Sequence, residues 1–224
     1  MILSKNKKKQ IEGIDFNKSY SVIEAVKLLQ EKKFVKFDES IEVSINTGID
    51  SKQSDQNVRG SFVPPHGLGK KVDIAVFAQG KAAEEANALG VKKVGGEDLV
   101  AALQEKIDVD VIIATPDMMA VVSKIAKVLG PKGLMPNPKT GTVTNDVKST
   151  IENINKGLVA YKNDKAGTIH AALGKISFDE SQLSENINSF VEEIKKIKPT
   201  GLKGNFINSV FVSSTMGFGL KVEV

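Results

Sequence analysis

From Val72 to Gly157 the chain alternates apolar strand-like runs with helical ones, and this texture is flanked on both sides by segments of a different period. Short apolar runs separated by helices must pair in parallel, because each crossover returns the chain to the same end of the sheet. Residues 72–78, 91–94 and 109–115 read as strands. Helices are expected over 81–89, 97–106, 117–129 and 146–156, with Gly90, Gly130 and Gly157 as stops and Pro116 opening the third. Outside this stretch the signals change. Ser21 and Glu24 form a capping box ahead of an apolar helical stripe that runs to Gln30. Ile41, Val43 and Ile45 alternate with Glu42, Ser44 and Asn46, the period of a strand with one wet face. Alternation returns over 158–161 and 168–176. A helix over 184–197 follows, carrying Ile187, Phe190, Val191, Ile194 and Ile197 on one face and ended by Pro199. Val210 and Val212 alternate with Phe211 and Ser213 in a last strand. The predicted fold class is therefore α/β and α+β in two domains. Residues 1–67 and 159–224 form a noncontiguous α+β domain, and 68–158 form an inserted α/β domain joined by two glycine-flanked connections suited to a hinge.

Composition narrows the function classes. The 224 residues are 41% hydrophobic and 26% charged, as in a folded globular protein. No run of about 18 uninterrupted apolar residues occurs, so no membrane span is expected and a cytoplasmic location is the default. Cysteine is absent, which removes disulfides, thiolate metal sites and cysteine nucleophiles together. A net charge of +4 and a pI near 9.0 permit a polyanionic partner without demanding one. Lys5, Lys7, Lys8 and Lys9 read as a solvated basic tail able to brush phosphates.

A search for catalytic chemistry returns little. The segment 133–140 ends in Lys139 and Thr140 like a phosphate-binding loop, but Pro136 and Pro138 remove amide donors from it. Gly67 and Gly69 precede a strand, whereas a dinucleotide fingerprint follows one. His66 and His170 are too few and too far apart for a histidine metal cluster, and read as structural. The adjacent acids Asp38 and Glu39, Glu84 and Glu85, and Asp179 and Glu180 come with no nucleophile and base, and read as solvated faces. No enzyme, cofactor or metal is expected.

One further segment stands out. The run Ser213, Ser214, Thr215, Met216, Gly217 closes a strand with small hydroxylated residues, and Gly217 and Gly219 let the backbone approach a partner without a Cβ in the way. Several blocks then match one family in order: FDESIEV at 37–43, SDQNVRG at 54–60, PHGLGK at 65–70, GPKGLMPNPKTGTV at 130–143, DKAGTIHAALGKISF at 164–178 and SSTMG at 213–217. Together they closely resemble the bacterial ribosomal protein L-one family, the protein of the mobile stalk beside the ribosomal exit site.

The resemblance implies that the inserted domain is Rossmann-like. It also implies binding to large-subunit ribosomal RNA at the stalk, assistance to deacylated exit-site tRNA as it leaves, and repression of the protein's own operon mRNA. The expected form outside the ribosome is a monomer. Carried over by position, the RNA surface falls on Lys36, Phe37, Ser40 and Glu42, and on Ser209, Thr215, Met216 and Gly217, with Lys165 adding phosphate attraction. Lys132 and Lys139 in the inserted domain are a secondary RNA or tRNA contact. The chemistry suits folded RNA: short hydroxyls can read riboses, an ionised Glu42 accepts from a ribose hydroxyl or a guanine amino group, and lysines attract phosphate. From the residues alone, Phe37 and Met216 read instead as core. Phe218 stands where the family usually has proline, and is expected to loosen the loop or to offer an aromatic face to RNA. Pro64, where an aliphatic residue is common, is expected to stiffen the connection.

Overall fold

The computed structural model describes residues 10–105, 107–199, 201–202 and 204–223. Lys5, Lys7, Lys8 and Lys9 of the basic stretch, and Lys106 at the end of an expected helix, lie outside the described residues. In chain order, helix α1 (Val22–Glu31) leads into strands β1 (Ser40–Thr47) and β2 (Arg59–Phe62). Next come β3 (Ile74–Phe77), α2 (Lys81–Ala88), β4 (Lys93–Gly95), α3 (Glu97–Glu105) and β5 (Val111–Ala114). Two short helices, α4 (Met119–Ser123) and α5 (Ala126–Leu129), precede α6 (Val147–Asn155). The chain closes with β6 (Val159–Lys162), β7 (Thr168–Lys175), α7 (Glu180–Lys196), β8 (Ile207–Ser214) and β9 (Gly219–Val222).

The fold is mixed α/β and α+β. Two compact units divide it, Met1–Gly69 with Val159–Val224, and Lys70–Leu158. In the second unit β3 lies between β4 and β5, all parallel. Every β3 position is buried, as parallel strands covered on both faces require. Ala75, Phe77 and Ile112 face the core beneath α3 and α4, while Ile74, Val76 and Ile113 face the one beneath α2 and α6. The helix expected over 117–129 is broken: a 3₁₀ turn at Pro116–Met118 is followed by α4 and α5, with Ile125 between them at φ −108°, outside helical geometry.

In the first unit the antiparallel sheet runs β7, β1, β8, β9, and one face is packed on α1 and α7. Ile41, Val43 and Ile45 of β1 and Val210 and Val212 of β8 point into that core. The expected capping box closes on α1, with the Glu24 N–H donating to Ser21 Oγ at 3.3 Å and the Ser21 N–H to Glu24 Oε2 at 3.3 Å. Helix α7 begins four residues earlier than its apolar periodicity suggests, because Asp179 already takes the extended backbone of an N-cap, at φ −63° and ψ 146°.

A β-bulge shapes the outer sheet face. Register shifts between Ile41 and Glu42, whose partners are Gly174 and Ala172, so Leu173 is the extra residue of β7. Leu173 and Gly174 therefore both turn inward, and Lys175 emerges beside Ser40. Asn186 of α7, fully buried, supports this stretch. Its amide donates to Leu173 O at 2.8 Å and Gly67 O at 3.2 Å, and its oxygen accepts the His66 N–H at 3.1 Å.

Candidate nucleic-acid interface

Strands β1 and β8 are neighbours, so the start of one meets the end of the other. Ile41 pairs with Ser214, and one step further Ser40 and Thr215 are clasped together. The Ser40 N–H donates to Thr215 Oγ1 at 3.0 Å, the Thr215 N–H donates to Ser40 O at 3.2 Å, and Thr215 Oγ1 reaches Ser40 O at 3.4 Å. Lys175 Nζ donates to Ser40 Oγ at 3.0 Å and to Asp38 O at 3.4 Å. Two predicted residues are thus brought into contact, and a cation that the sequence analysis did not select stands beside them. The signal for it was the strand alternation through 168–176, which the bulge shifts by one residue.

Phe37 is 50% exposed and Met216 is 45% exposed. Their reading as core residues is overturned: both side chains are exposed, Met216 following Thr215 of the clasp and Phe37 standing three positions before Ser40 and next to exposed Lys36 in the chain. The reading of Asp38 and Glu39 as a solvated pair is also overturned for one member. Glu39 is 0% exposed. Its Oε1 accepts the Met216 N–H at 2.8 Å and the Ser214 hydroxyl at 3.2 Å, so this carboxyl is the inner peg on which the 214–217 turn hangs. Its Oε2 is buried with no hydrogen-bond partner among the described residues.

Gly217 serves the same turn. A Cβ there would press on Ser214 Oγ, the hydroxyl that donates to Glu39, so a side chain at 217 would displace that bond. Phe218 is buried and meets Phe16 edge to face, with centroids 6.3 Å apart, so the expected exposed aromatic face at this position is not formed.

Of the other predicted residues, Glu42 lies near the clasp, while Ser209 and Lys165 lie at the far end. Glu42 is exposed on the outer face opposite Ser213. Ser209 pairs with Asn46 near the far end of β1, about 20 Å from Ser40 at roughly 3.3 Å per residue. Lys165 is exposed in the 163–167 turn at that same far end, where the Thr47 N–H donates to Gly167 O at 3.3 Å. Gly167 needs its φ of +79° and its missing side chain, since a Cβ would sit 2.7 Å from Ile49 O. The predicted first-unit residues therefore form a strip along the outer sheet face rather than one compact patch.

Asp164 shapes the Lys165 turn by accepting the Thr168 and Ala166 N–H groups, each at 2.8 Å. The Thr168 bond, then the Ala166 bond and the nearby His170, hold its carboxyl below the usual carboxylate range. Because the folded turn favours the anion, its contribution is complete above the unfolded carboxylate value of about 3.9 and is lost as pH falls through the lower folded value. Protection of the Ala166 and Thr168 amides, measured by NMR as exchange relative to the intrinsic rate at each pH, should fall as the pH drops below the usual carboxylate value. Asp164→Asn should abolish that acid step.

Lys132 and Lys139 are exposed in the second unit. The segment around Lys139 does not cradle phosphate, because its amides are already used. The Lys139 N–H donates to Asn137 Oδ1 at 2.8 Å, the Thr140 N–H to Asn137 O at 3.2 Å and the Asn137 N–H to Thr142 Oγ1 at 2.8 Å. No group of three or more metal-ligating side chains occurs among the described residues. No helix among them is long and apolar enough to cross a membrane.

Short hydroxyls, a carboxylate, lysines and two exposed apolar side chains are thus spread along one open sheet face. The class the fold defines is a mixed α/β and α+β protein of two units. Residues 28–218 match the Ribosomal protein L1p/L10e family, and the chain belongs to that family. It is 50% identical over 212 residues to the large ribosomal subunit protein uL1 of Thermosipho africanus, covering 94% of this chain and 91% of that protein. The proteins of the same name from Ruthia magnifica and Streptococcus gordonii are each 49% identical, over 223 and 222 residues. Both alignments cover 99% of this chain, with 96% and 97% of the respective relatives. Membership makes the chain a structural ribosomal protein and not an enzyme.

Proposed function

We propose that this chain is a constituent of the large subunit of the cytoplasmic ribosome that holds the stalk segment of large-subunit ribosomal RNA on the outer sheet face of its first unit. The observation that carries this reading is the clasp between Ser40 and Thr215, residues 175 positions apart, beside exposed Phe37 and Met216. The roles follow from the donor set. The Ser40 and Thr215 hydroxyls read ribose 2′-hydroxyls, Glu42 accepts from a sugar or a guanine amino group, and Ser209 repeats the hydroxyl contact further along. Phe37 and Met216 lie against sugars or bases, the Gly217 turn presents Met216, and Lys36 and Lys165 attract phosphate.

In this reading residues 1–67 and 159–224 hold the RNA, and 68–158 form the inserted domain. Lys132 and Lys139 give that domain a secondary contact for RNA or for deacylated tRNA leaving the exit site. The same first-unit face binds a similar fold in the protein's own operon mRNA and so represses its translation. The free protein is a monomer.

A filter-binding titration against the organism's stalk RNA at two salt concentrations tests the reading. Saturable, salt-dependent binding is expected. Saturable binding of NAD or ATP with no affinity for the RNA would overturn it. Thr215→Val keeps the side chain's shape and removes its hydroxyl. RNA affinity should fall by about 1 kcal/mol or more, while stability falls by less, because water can replace the lost acceptor of the exposed Ser40 N–H. An unchanged dissociation constant would remove Thr215 from the interface.

A further inference from the structure

The middle of the strip carries a row of side chains to which the proposed contacts assign nothing. Reading across β9, β8, β1 and β7, the registers set Lys221, Phe211, Ser44 and His170 side by side. On one flank of this row lie Ser213 and Glu42, and on the other Ser209 and Asn46. A ligand that touches both the Thr215 end and the Ser209 and Lys165 end must cross it.

Phe211 is 38% exposed although β8 is an interior strand with β1 and β9 on either side. A single exposed phenylalanine is commonplace, so its exposure alone argues nothing. Its address does, because the ring stands between two rows of hydrogen-bonding side chains, with Lys221 as its neighbour on β9. At the other end of the row His170 is engaged from both ring nitrogens. Nδ1 lies 3.0 Å from Ser44 Oγ, and Nε2 lies 3.6 Å from Asp164 Oδ2. His170 and Asp164 are exposed and Ser44 is half-buried, and the arrangement reads as a fixed imidazole at the border of the row rather than as a hydrolytic site.

We infer that Phe211 is a stacking platform for an unpaired nucleobase, and that the Lys221–Phe211–Ser44–His170 row joins the two ends of the RNA site into one continuous interface. The inference rests on the RNA-binding reading above. An aromatic ring set among polar side chains on an open sheet offers a base the π-face contact that loops and bulges of folded RNA can supply, and lysine and histidine at the two ends of the row suit the backbone that leads into and out of such a base. The occupant is therefore a single-stranded loop nucleotide of the same RNA, since a continuous duplex keeps its bases stacked internally.

The test uses the full chain and a stalk RNA fragment carrying the fluorescent base aminopurine at successive loop positions. Phe211→Leu should weaken binding about tenfold and Phe211→Tyr less than twofold, with the salt dependence unchanged because no phosphate contact is lost. The unsubstituted protein should quench aminopurine at one loop position, and Phe211→Leu should relieve that quenching. If Phe211→Leu binds as tightly as the unsubstituted protein while Thr215→Val still binds weakly, the platform is wrong and the RNA reading stands. If the unsubstituted protein binds no RNA, both fall. Should the leucine variant unfold, quenching by the unsubstituted protein decides, and its absence at every loop position overturns the inference. Concentration-dependent self-association that Phe211→Leu abolishes, with RNA affinity unchanged, would mark the face as a protein contact and overturn it equally.

Discussion

Replacing Glu39 with alanine unseats the 214–217 turn and costs about 2–4 kcal/mol of folding stability, with RNA affinity falling more than tenfold in the molecules that remain folded. The size of the effect follows from where the carboxyl sits. It is fully buried, and it is the acceptor for both the Met216 N–H and the Ser214 hydroxyl. Alanine leaves those donors facing a cavity, and an unmade buried hydrogen bond costs far more than a typical made one contributes. Met216 and Thr215 follow one another in the chain, so loss of the peg also frees the surface residues. Glu39→Gln retains an acceptor at Oε1 and should keep most of the stability and affinity. Urea denaturation and filter binding on the three proteins check this. Unchanged RNA affinity in the alanine variant would show that the Ser40–Thr215 clasp holds the turn unaided.

Asn186→Leu should destabilise the protein by about 3 kcal/mol while changing RNA affinity per folded molecule by less than about threefold. Leucine matches the volume but none of the three hydrogen bonds, so the His66 N–H and the carbonyls of Gly67 and Leu173 lose their partner. The Leu173 carbonyl belongs to the residue left over by the β7 bulge, which the strand ladder does not pair. Amide exchange should accelerate first at His66, measured against the slow core amides of β1. A denaturation midpoint within experimental error of the unsubstituted protein would show that water replaces the amide at all three groups.

Much of the architecture was written locally. The Ser21–Glu24 box, the alternation of Ile41, Val43 and Ile45, and the apolar runs of β3 and β5 each depend on neighbours within a few positions, and each emerged as read. What stayed hidden was set by remote partners. Glu39 is an acid beside another acid, and nothing within ten positions announces that its hydrogen-bond donors come from residues 214 and 216. Lys175 was invisible as a site residue because one unpaired position, Leu173, changes the face on which it emerges. The proposed site is drawn from the family blocks as a set of residues. Its extent was not legible there, because only the register shows that Ser209 and Lys165 stand at the opposite end of β1 from Thr215.

The placement of β1 also orders the events of synthesis. Its neighbours are β7 and β8, and Ser40 waits 135 positions for Lys175 and 175 for Thr215. During translation β1 therefore emerges with both edges bare and keeps them bare until after the second unit, Lys70–Leu158, has been made. Only after the ribosome has passed codon 215 can the two hydroxyls meet. An RNA surface built on that clasp, as proposed, would therefore form only once Thr215 has been synthesised.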